Sequence, residues 1–307
     1  MNVRIATRGS ELALWQARWV EEQFVARHAD CTTEIVVVRT TGDIRTDRPL
    51  RELAGRGVFV TEVEEAVRSG AADIAVHSAK DLPSSDPEGL VIAAYCQRAD
   101  PRDVLIGAPG VGILDLDPGT RIGTGSARRV ALLRHVRPDL DYVPVRGNVD
   151  TRIAKVDSGE VDAVVLAAAG VHRLRREDRI TQWLDPEICL PQVGQACVAV
   201  QCRSDDTELM RRVHDACDHY DTRREVSCER RFLALLGGGC TAPVAAHAIS
   251  SDRFLYLFAL VASEDGGTVF RTRASGHLTA IEAVARGAYD DLMEQGGAVL
   301  TGFGVNR

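Results

Sequence analysis

The stretch VRIATRGSELALWQARWVEEQFVARH, residues 3–28, decides the fold. VRIAT (3–7) reads as a short buried strand. Ser10 is suited to cap a helix, and beyond it Leu14, Ala17, Val20 and Phe24 fall on one stripe at helical spacing. The pattern then alternates. TEIVVVRT (33–40) is a strand rich in β-branched residues, VFVTEVEEAVRSG (58–70) a helix ending at Gly70, and ADIAVHSA (72–79) the next strand. This β-α-β-α-β rhythm predicts a mostly parallel sheet with helices on its faces.

The rhythm restarts further along. DVLIGA (103–108) reads as a strand, RIGTGS (121–126) as a strand entering the helix ARRVALLRHV (127–136), and DYVPVRG (141–147) as another strand. NVDTRIAKVDSG (148–159) is a helix and VDAVVLAAAG (161–170) a strand. Two crossovers are expected, in the polar CQRADPRD (96–103) and in ICLPQVGQACVAVQCR (188–203). The last third differs: a helix over 222–236, three antiparallel strands in PVAAHAIS, RFLYLFALVAS and TVFRTRASG, and a closing helix over 280–296. The expected class is two similar α/β units followed by a smaller α+β domain.

Bulk properties narrow the function. A chain of 307 residues with 45% apolar content is long enough for two or three domains with real cores. The net charge of -7 argues against a nucleic-acid-binding domain, which would be basic. The eight cysteines include no CxxC pair, which disfavours zinc ribbons and thioredoxin-type redox sites, and they are too sparse for a disulfide scaffold. The N-terminal segment lacks the apolar core of a signal peptide, and no apolar run approaches the roughly 20 residues of a membrane span. A reduced cytoplasmic setting, with no membrane or nucleic-acid partner, is expected.

In parallel α/β units, ligands bind at the carboxyl ends of the strands. The segments found there are TRGS with Arg8 and Ser10, HSAKDLP with His77, Ser78, Lys80 and Asp81, and GTGSARR with Thr124, Ser126, Arg128 and Arg129. VRGNVDTR follows with Arg146, Asn148 and Arg152, then AAAGVHR with Ala169, Gly170 and Arg173. An arginine or lysine in nearly every such loop predicts a large anion-binding cleft between two domains, because guanidinium forks grip carboxylates and helix N-termini favour negative charge. GTGSARR lacks the GxxxxGK[ST] spacing, so nucleoside triphosphates are disfavoured. Asp81 is the odd member, a lone acid among cations, suited either to an ion pair or to handling a proton or a developing positive charge. His77 reads either as a buried, hydrogen-bonded residue or as a site residue.

His214 and His219 lie five residues apart and would not share a helix face, so no metal site is expected. Cys197 and Cys202 lie in an apolar strand and read as core thiols. In LLGGGCTAP (235–243), three glycines precede Cys240 and a proline follows, which puts a thiol on a pliable turn. Taken alone, Cys240 reads either as that accessible thiol or as a small buried side chain. A two-lobed solute-binding module would leave Cys240 without a task and would carry an export signal.

The blocks RIATRGSELALWQA, TTGD, GRGVFVTEVEEAV, DIAVHSAKDLP, RIGTGSARRVALL, VRGNVDTRIAKVD, LAAAGVHRL, LPQVGQ, ERRFL and GGGCTAPVAAHA follow one another in this order. Together they resemble the porphobilinogen deaminase (hydroxymethylbilane synthase) family across essentially the whole chain. The resemblance implies two lobes of the type II periplasmic-binding-protein kind and a small α+β domain. The boundaries would be 1–96 with 197–214, then 102–191, then 219–307. It implies a monomeric cytoplasmic transferase of haem and porphyrin biosynthesis that needs no metal. Four molecules of the substrate, porphobilinogen, would be joined head to tail and released as hydroxymethylbilane by hydrolysis, with loss of ammonia. The implied cofactor is a dipyrromethane held on Cys240 through a thioether.

Carried onto this chain, the resemblance makes Asp81 the catalytic carboxylate. It would hydrogen-bond pyrrole N–H groups and stabilise the cationic azafulvene formed as ammonia leaves. Lys80, Asp81, Ser78, Thr124, Ser126, Arg128, Arg129, Arg146 and Gly147 are implied to hold the cofactor. Arg8, Ser10, Arg146, Arg152, Ala169, Gly170, Arg173 and Gln195 are implied to hold substrate. Arg56 stands where the family often has lysine, in a loop thought to cover the cleft. Departures occur at Gly9, where a larger polar residue is common, and in LLGGGC, which lacks the acidic residue many members carry there.

Overall fold

In the computed structural model, which describes residues 1–40, 60–237 and 243–301, the opening stretch folds as its pattern predicts. β1 (Asn2–Arg8) runs into α1 (Glu11–Arg27), and the Ser10 hydroxyl caps the helix by accepting from the Ala13 amide at 3.3 Å. Ala17, Val20 and Phe24 are fully buried on the stripe. β2 (Thr32–Val38), α2 (Thr61–Arg68), β3 (Ile74–Ser78) and β4 (Leu90–Tyr95) follow.

The second series comprises β5 (Asp103–Ile106), β6 (Arg121–Gly123), α3 (Ala127–Val136), β7 (Asp141–Val143), α4 (Val149–Asp157), β8 (Ala163–Ala167), α5 (Ala168–Arg173) and β9 (Gln182–Trp183). The chain continues through β10 (Val198–Arg203), α6 (Thr207–Cys217) and α7 (Tyr220–Leu235). Then come β11 (Val244–Ser251), β12 (Phe254–Ala262), β13 (Val269–His277) and α8 (Ile281–Leu292), followed by a π-helical turn over Met293–Gly297 and the short α9 (Ala298–Thr301).

Two five-stranded sheets share one plan. The first has the order β2-β1-β3-β10-β4 and the second β7-β6-β8-β5-β9. In each, four strands are parallel and one is antiparallel to both its neighbours: β10 in the first, β5 in the second. This is the α/β class predicted, together with a three-stranded antiparallel sheet in the order β11-β12-β13. β5 begins where the first expected crossover ends and β10 forms the last part of the second, and antiparallel pairing needs no helical connection. DVLIGA therefore does not open a parallel series as its position suggests; it supplies the reversed strand.

The chain divides into two compact units, Met1–Ala99 with Ala196–Arg223, and Asp100–Gln195 with Arg224–Arg307. In the first unit, Val3, Ile5, Ile74 and Val76 face α1 and α6, while Ala6 and Ala75 face Val63 and Val67 of α2, the two-residue alternation of a sheet covered on both sides. Cys202 belongs to the first of these clusters, and burial pushes its thiol up to about 11, so it is inert. Cys197 is equally buried. In the second unit, Phe232 of α7 packs with Leu255 and Leu257 of β12 and with Val284 and Leu292 of α8. Leu260 and Ala245 join Leu132 and Leu133 of α3 in another cluster.

Among the described elements, β4, β9 and α5 are absent from the sequence expectation, which reads a helix only at the His214 end of α6. LVIAAY is a six-residue apolar run that periodicity cannot tell from a buried helix segment, and β9 is only two residues long. Several strands also end earlier than their apolar runs. VDAVVLAAAG yields a strand only to Ala167, because the next residues turn into α5. No described helix is long and apolar enough to cross a membrane.

Candidate functional site

In the first unit, a cavity of about 110 Å³ opens where β1 and β3 end. Its lining includes Arg8, Ser10, Gln16, Ser78, Lys80 and Asp81. β1 delivers Arg8, and the turn into α1 delivers Ser10, whose hydroxyl is the helix cap. β3 ends at Ser78, and one 3-10 turn over Ala79–Asp81 carries the cation and the acid outward together. That turn is anchored by the Ala79 amide, which donates to the Cys197 carbonyl at 2.9 Å. Ser78 is held by Gln16, whose amide donates to the hydroxyl at 2.9 Å. Arg8, Ser10, Ser78 and Lys80 are half-buried and Asp81 is exposed. The result is two cations and one carboxylate around a small polar opening.

His77 forms part of the same wall and is 5% exposed. Its Nε2 has no partner at hydrogen-bonding distance, although Gln201 lies near enough to offset part of the shift that burial imposes. Burial, with the Arg8 guanidinium nearby, pushes the imidazole down to about 4, so it is neutral near pH 7. Its open reading resolves as a buried, neutral wall residue. An unfolded histidine titrates near 6.5, so below that pH the unfolded chain binds a proton the native chain refuses, and stability falls as pH drops from about 6.5 towards 4. His77→Asn should flatten the decline of the thermal midpoint across that window; an unchanged slope would show that His77 does not cause it.

In the second unit, the predicted cations again follow the carboxyl ends of parallel strands. Behind β6, Ser126 caps α3 by accepting from the Arg129 amide, and Thr124 is buried with its hydroxyl accepting from the Ser126 amide at 3.3 Å. Gly125 permits this turn, since a Cβ there would lie 2.8 Å from the Val145 carbonyl oxygen. Arg128 and Arg129 are each only 5% exposed and both bind Asp103, the first residue of β5. Arg128 Nη2 to Asp103 Oδ2 is 2.6 Å, and Arg129 Nη2 to Asp103 Oδ1 is 2.7 Å. Gln195, fully buried, donates to the same Oδ1 at 2.8 Å and to the Pro101 carbonyl at 2.7 Å.

Behind β7 stand half-buried Arg146, then Gly147, then Arg152, whose Nε donates to the Gly147 carbonyl at 2.9 Å. Asn148 caps α4 by accepting from the Thr151 amide at 2.8 Å. Gly147 has φ +110, and a Cβ would lie 2.6 Å from Thr151 Cγ2. Gly147→Ala should therefore cost about 1–3 kcal/mol in urea unfolding; a neutral result would show that the turn relaxes freely. Behind β8, Ala169, Gly170 and Arg173 are buried in α5.

Cys240 and Arg56 lie outside the described residues. His214 pairs with Asp218 at 3.3 Å and His219 meets the Thr222 hydroxyl at 2.9 Å. No group of three or more metal-ligating side chains occurs among the described residues. Sequence reasoning missed Asp103 and Gln16. Asp103 sits inside a crossover segment whose acid reads as a solvated residue, and Gln16 sits on an apolar helix stripe.

Both parts of the chain are similar to known proteins. Residues 3–211 match the family model described as porphobilinogen deaminase, dipyromethane cofactor binding domain, and residues 223–291 match its C-terminal domain. The chain is 44% identical over 298 residues to the porphobilinogen deaminase of Syntrophus aciditrophicus, covering 97% of each chain. It is 43% identical over 296 residues to that of Geobacter sulfurreducens, covering 96% of this chain and 92% of the relative. It is 42% identical over 297 residues to that of Syntrophotalea carbinolica, covering 96% and 93%. A solved methionine-binding protein, MetQ, aligns over 77% of this chain and 96% of its own at 12% identity and a TM-score of 0.44, too remote to add to the strand order. The chain belongs to the porphobilinogen deaminase family, transferases of tetrapyrrole biosynthesis with a dipyrromethane cofactor.

Proposed function

We propose that this chain joins four porphobilinogen molecules head to tail, so that four substrates and one water yield hydroxymethylbilane and four ammonia. In each cycle the aminomethyl C–N bond of the incoming porphobilinogen breaks and ammonia leaves, its methylene carbon bonds the free α-carbon of the terminal pyrrole of the growing chain, and that α-carbon loses a proton. The observation that carries the reading is the match of both family models along the chain, with cations at the strand ends where they predict polycarboxylate binding.

The residues present fit a cofactor rich in carboxylates. Arg128 and Arg129 share a single carboxylate, and the Nε of each is buried without a partner. Arg128, Arg129, Arg146, Gly147, Thr124, Ser126, Ser78, Lys80 and Asp81 would hold the dipyrromethane, and Cys240 would bind it covalently. When bound, the dipyrromethane supplies the resident pyrrole at which condensation starts.

Asp81, exposed at the end of its turn, accepts pyrrole N–H groups and opposes the positive charge that develops as ammonia departs. Arg8 and Ser10 orient the acid side chains of the substrate in the first unit. Arg146, Arg152, Arg173 and Gln195, with the backbone at Ala169 and Gly170, do so in the second. The chain is read as a cytoplasmic monomer with three domains, 1–96 with 197–214, 102–191 and 219–307. Its partner is the small-molecule substrate, with no nucleic acid or membrane.

The test is direct. Purified protein incubated with porphobilinogen should give a positive Ehrlich reaction, carry the mass of two added pyrroles after denaturation, and form hydroxymethylbilane. A chain that stays at its bare mass and makes no tetrapyrrole overturns the reading.

A further inference from the structure

Asp103 is fully buried and receives four donors on two oxygens. Oδ1 accepts from Arg129 Nη2 at 2.7 Å and Gln195 Nε2 at 2.8 Å. Oδ2 accepts from Arg128 Nη2 at 2.6 Å and from the Cys189 thiol at 3.3 Å. Each guanidinium is tied down a second time, Arg128 Nη1 to the Leu190 carbonyl and Arg129 Nη1 to the Val165 carbonyl. Both side chains are thus fixed at two of their three nitrogens, and in both the third, Nε, is buried without a partner.

The charges do not balance: one carboxylate serves two guanidiniums, all three groups buried. Burying a cation is costly unless it is paired, so a purely structural bridge would tend towards one acid for one base. A surplus positive charge with two N–H groups in hand is what an incoming carboxylate would complete. Burial pushes the Cys189 thiol up to about 12, so it stays a neutral donor and does not cancel the surplus.

We propose that Asp103 is a positioning residue for the cofactor: it sets Arg128 and Arg129 side by side and leaves the pair one positive charge in surplus, so that the pair receives one cofactor carboxylate. This rests on the proposed function above. Asp103 acts through the two arginines and does not itself meet the ligand.

The test uses full-length Asp103→Asn and Asp103→Glu beside the parent chain. Melting is followed by circular dichroism, and covalent loading by intact mass during timed incubation with porphobilinogen. Asp103→Asn keeps the shape and loses the charge; it should load roughly tenfold more slowly or worse. Asp103→Glu keeps the charge and should load within a few-fold of the parent. Parent-like loading of Asp103→Asn overturns the proposal, and so does Asp103→Glu loading roughly tenfold more slowly; the latter result decides alone if the Asn variant does not fold. A parent chain that never acquires pyrroles instead overturns the proposed function.

Discussion

Asp81→Asn should lower turnover on the order of 10²- to 10³-fold while the fold stays intact. The carboxylate is exposed on the one-turn segment Ala79–Asp81, whose backbone is secured independently through Ala79 and Cys197. Asn fills the same volume and can still accept from a pyrrole N–H, so only the negative charge is lost. That charge is what opposes the cation formed as ammonia leaves. Lys80 and Arg8, lining the same cavity, make the loss worse, because without Asp81 the local field is wholly positive where positive charge develops. Single-turnover ammonia release and a thermal melt check the two halves. Parent-like release would show that the carboxylate is not the charge that matters.

Arg128→Ala should destabilise the second unit by about 3–5 kcal/mol, since it removes one partner of a buried charge cluster. It leaves the Cys189 thiol and the Leu190 carbonyl without the Nη1 donor as well. Covalent loading should fall together with stability, unlike in Asp81→Asn. Urea unfolding and intact mass are the measurements, and a loss under about 1 kcal/mol would mean that the cluster repacks around Arg129.

The same cluster predicts an acid response. Arg128 and Arg129 outweigh the desolvation of Asp103 and hold its carboxyl far below the usual carboxylate range. A depressed native pKa stabilises above the unfolded value, near 4, and that contribution is lost as pH falls below it. The parent chain should therefore lose thermal stability between about pH 4 and 2 more steeply than Asp103→Asn.

Much of the site could be read from the chain because its residues are local to strand ends. Arg8 and Ser10 follow VRIAT, Ser78 to Asp81 follow the next parallel strand, and Arg146 and Arg152 flank a helix start. Strand, turn and helix signals occupy a few consecutive positions, so period and capping locate them. What the local pattern misplaced was partnership and direction. Arg128 and Arg129 look alike with Arg146 as cations in a loop, yet two of them are drawn onto a buried acid 25 and 26 positions earlier in the chain. Nothing in DVLI reveals that its first residue will be wholly enclosed, or that the strand runs against its neighbours.

The sequence alone determined the two α/β repeats, the smaller α+β part and the cationic strand ends, since each rests on hydrophobic period and turn chemistry over short spans. Tertiary structure alone decided which strand reverses in each sheet, that His77 is buried and neutral, and that Asp103 divides itself between two guanidiniums. Those outcomes depend on burial and on contacts between segments as distant in the chain as Ile74 and Cys202, which set desolvation and charge pairing and leave no periodic trace in the chain.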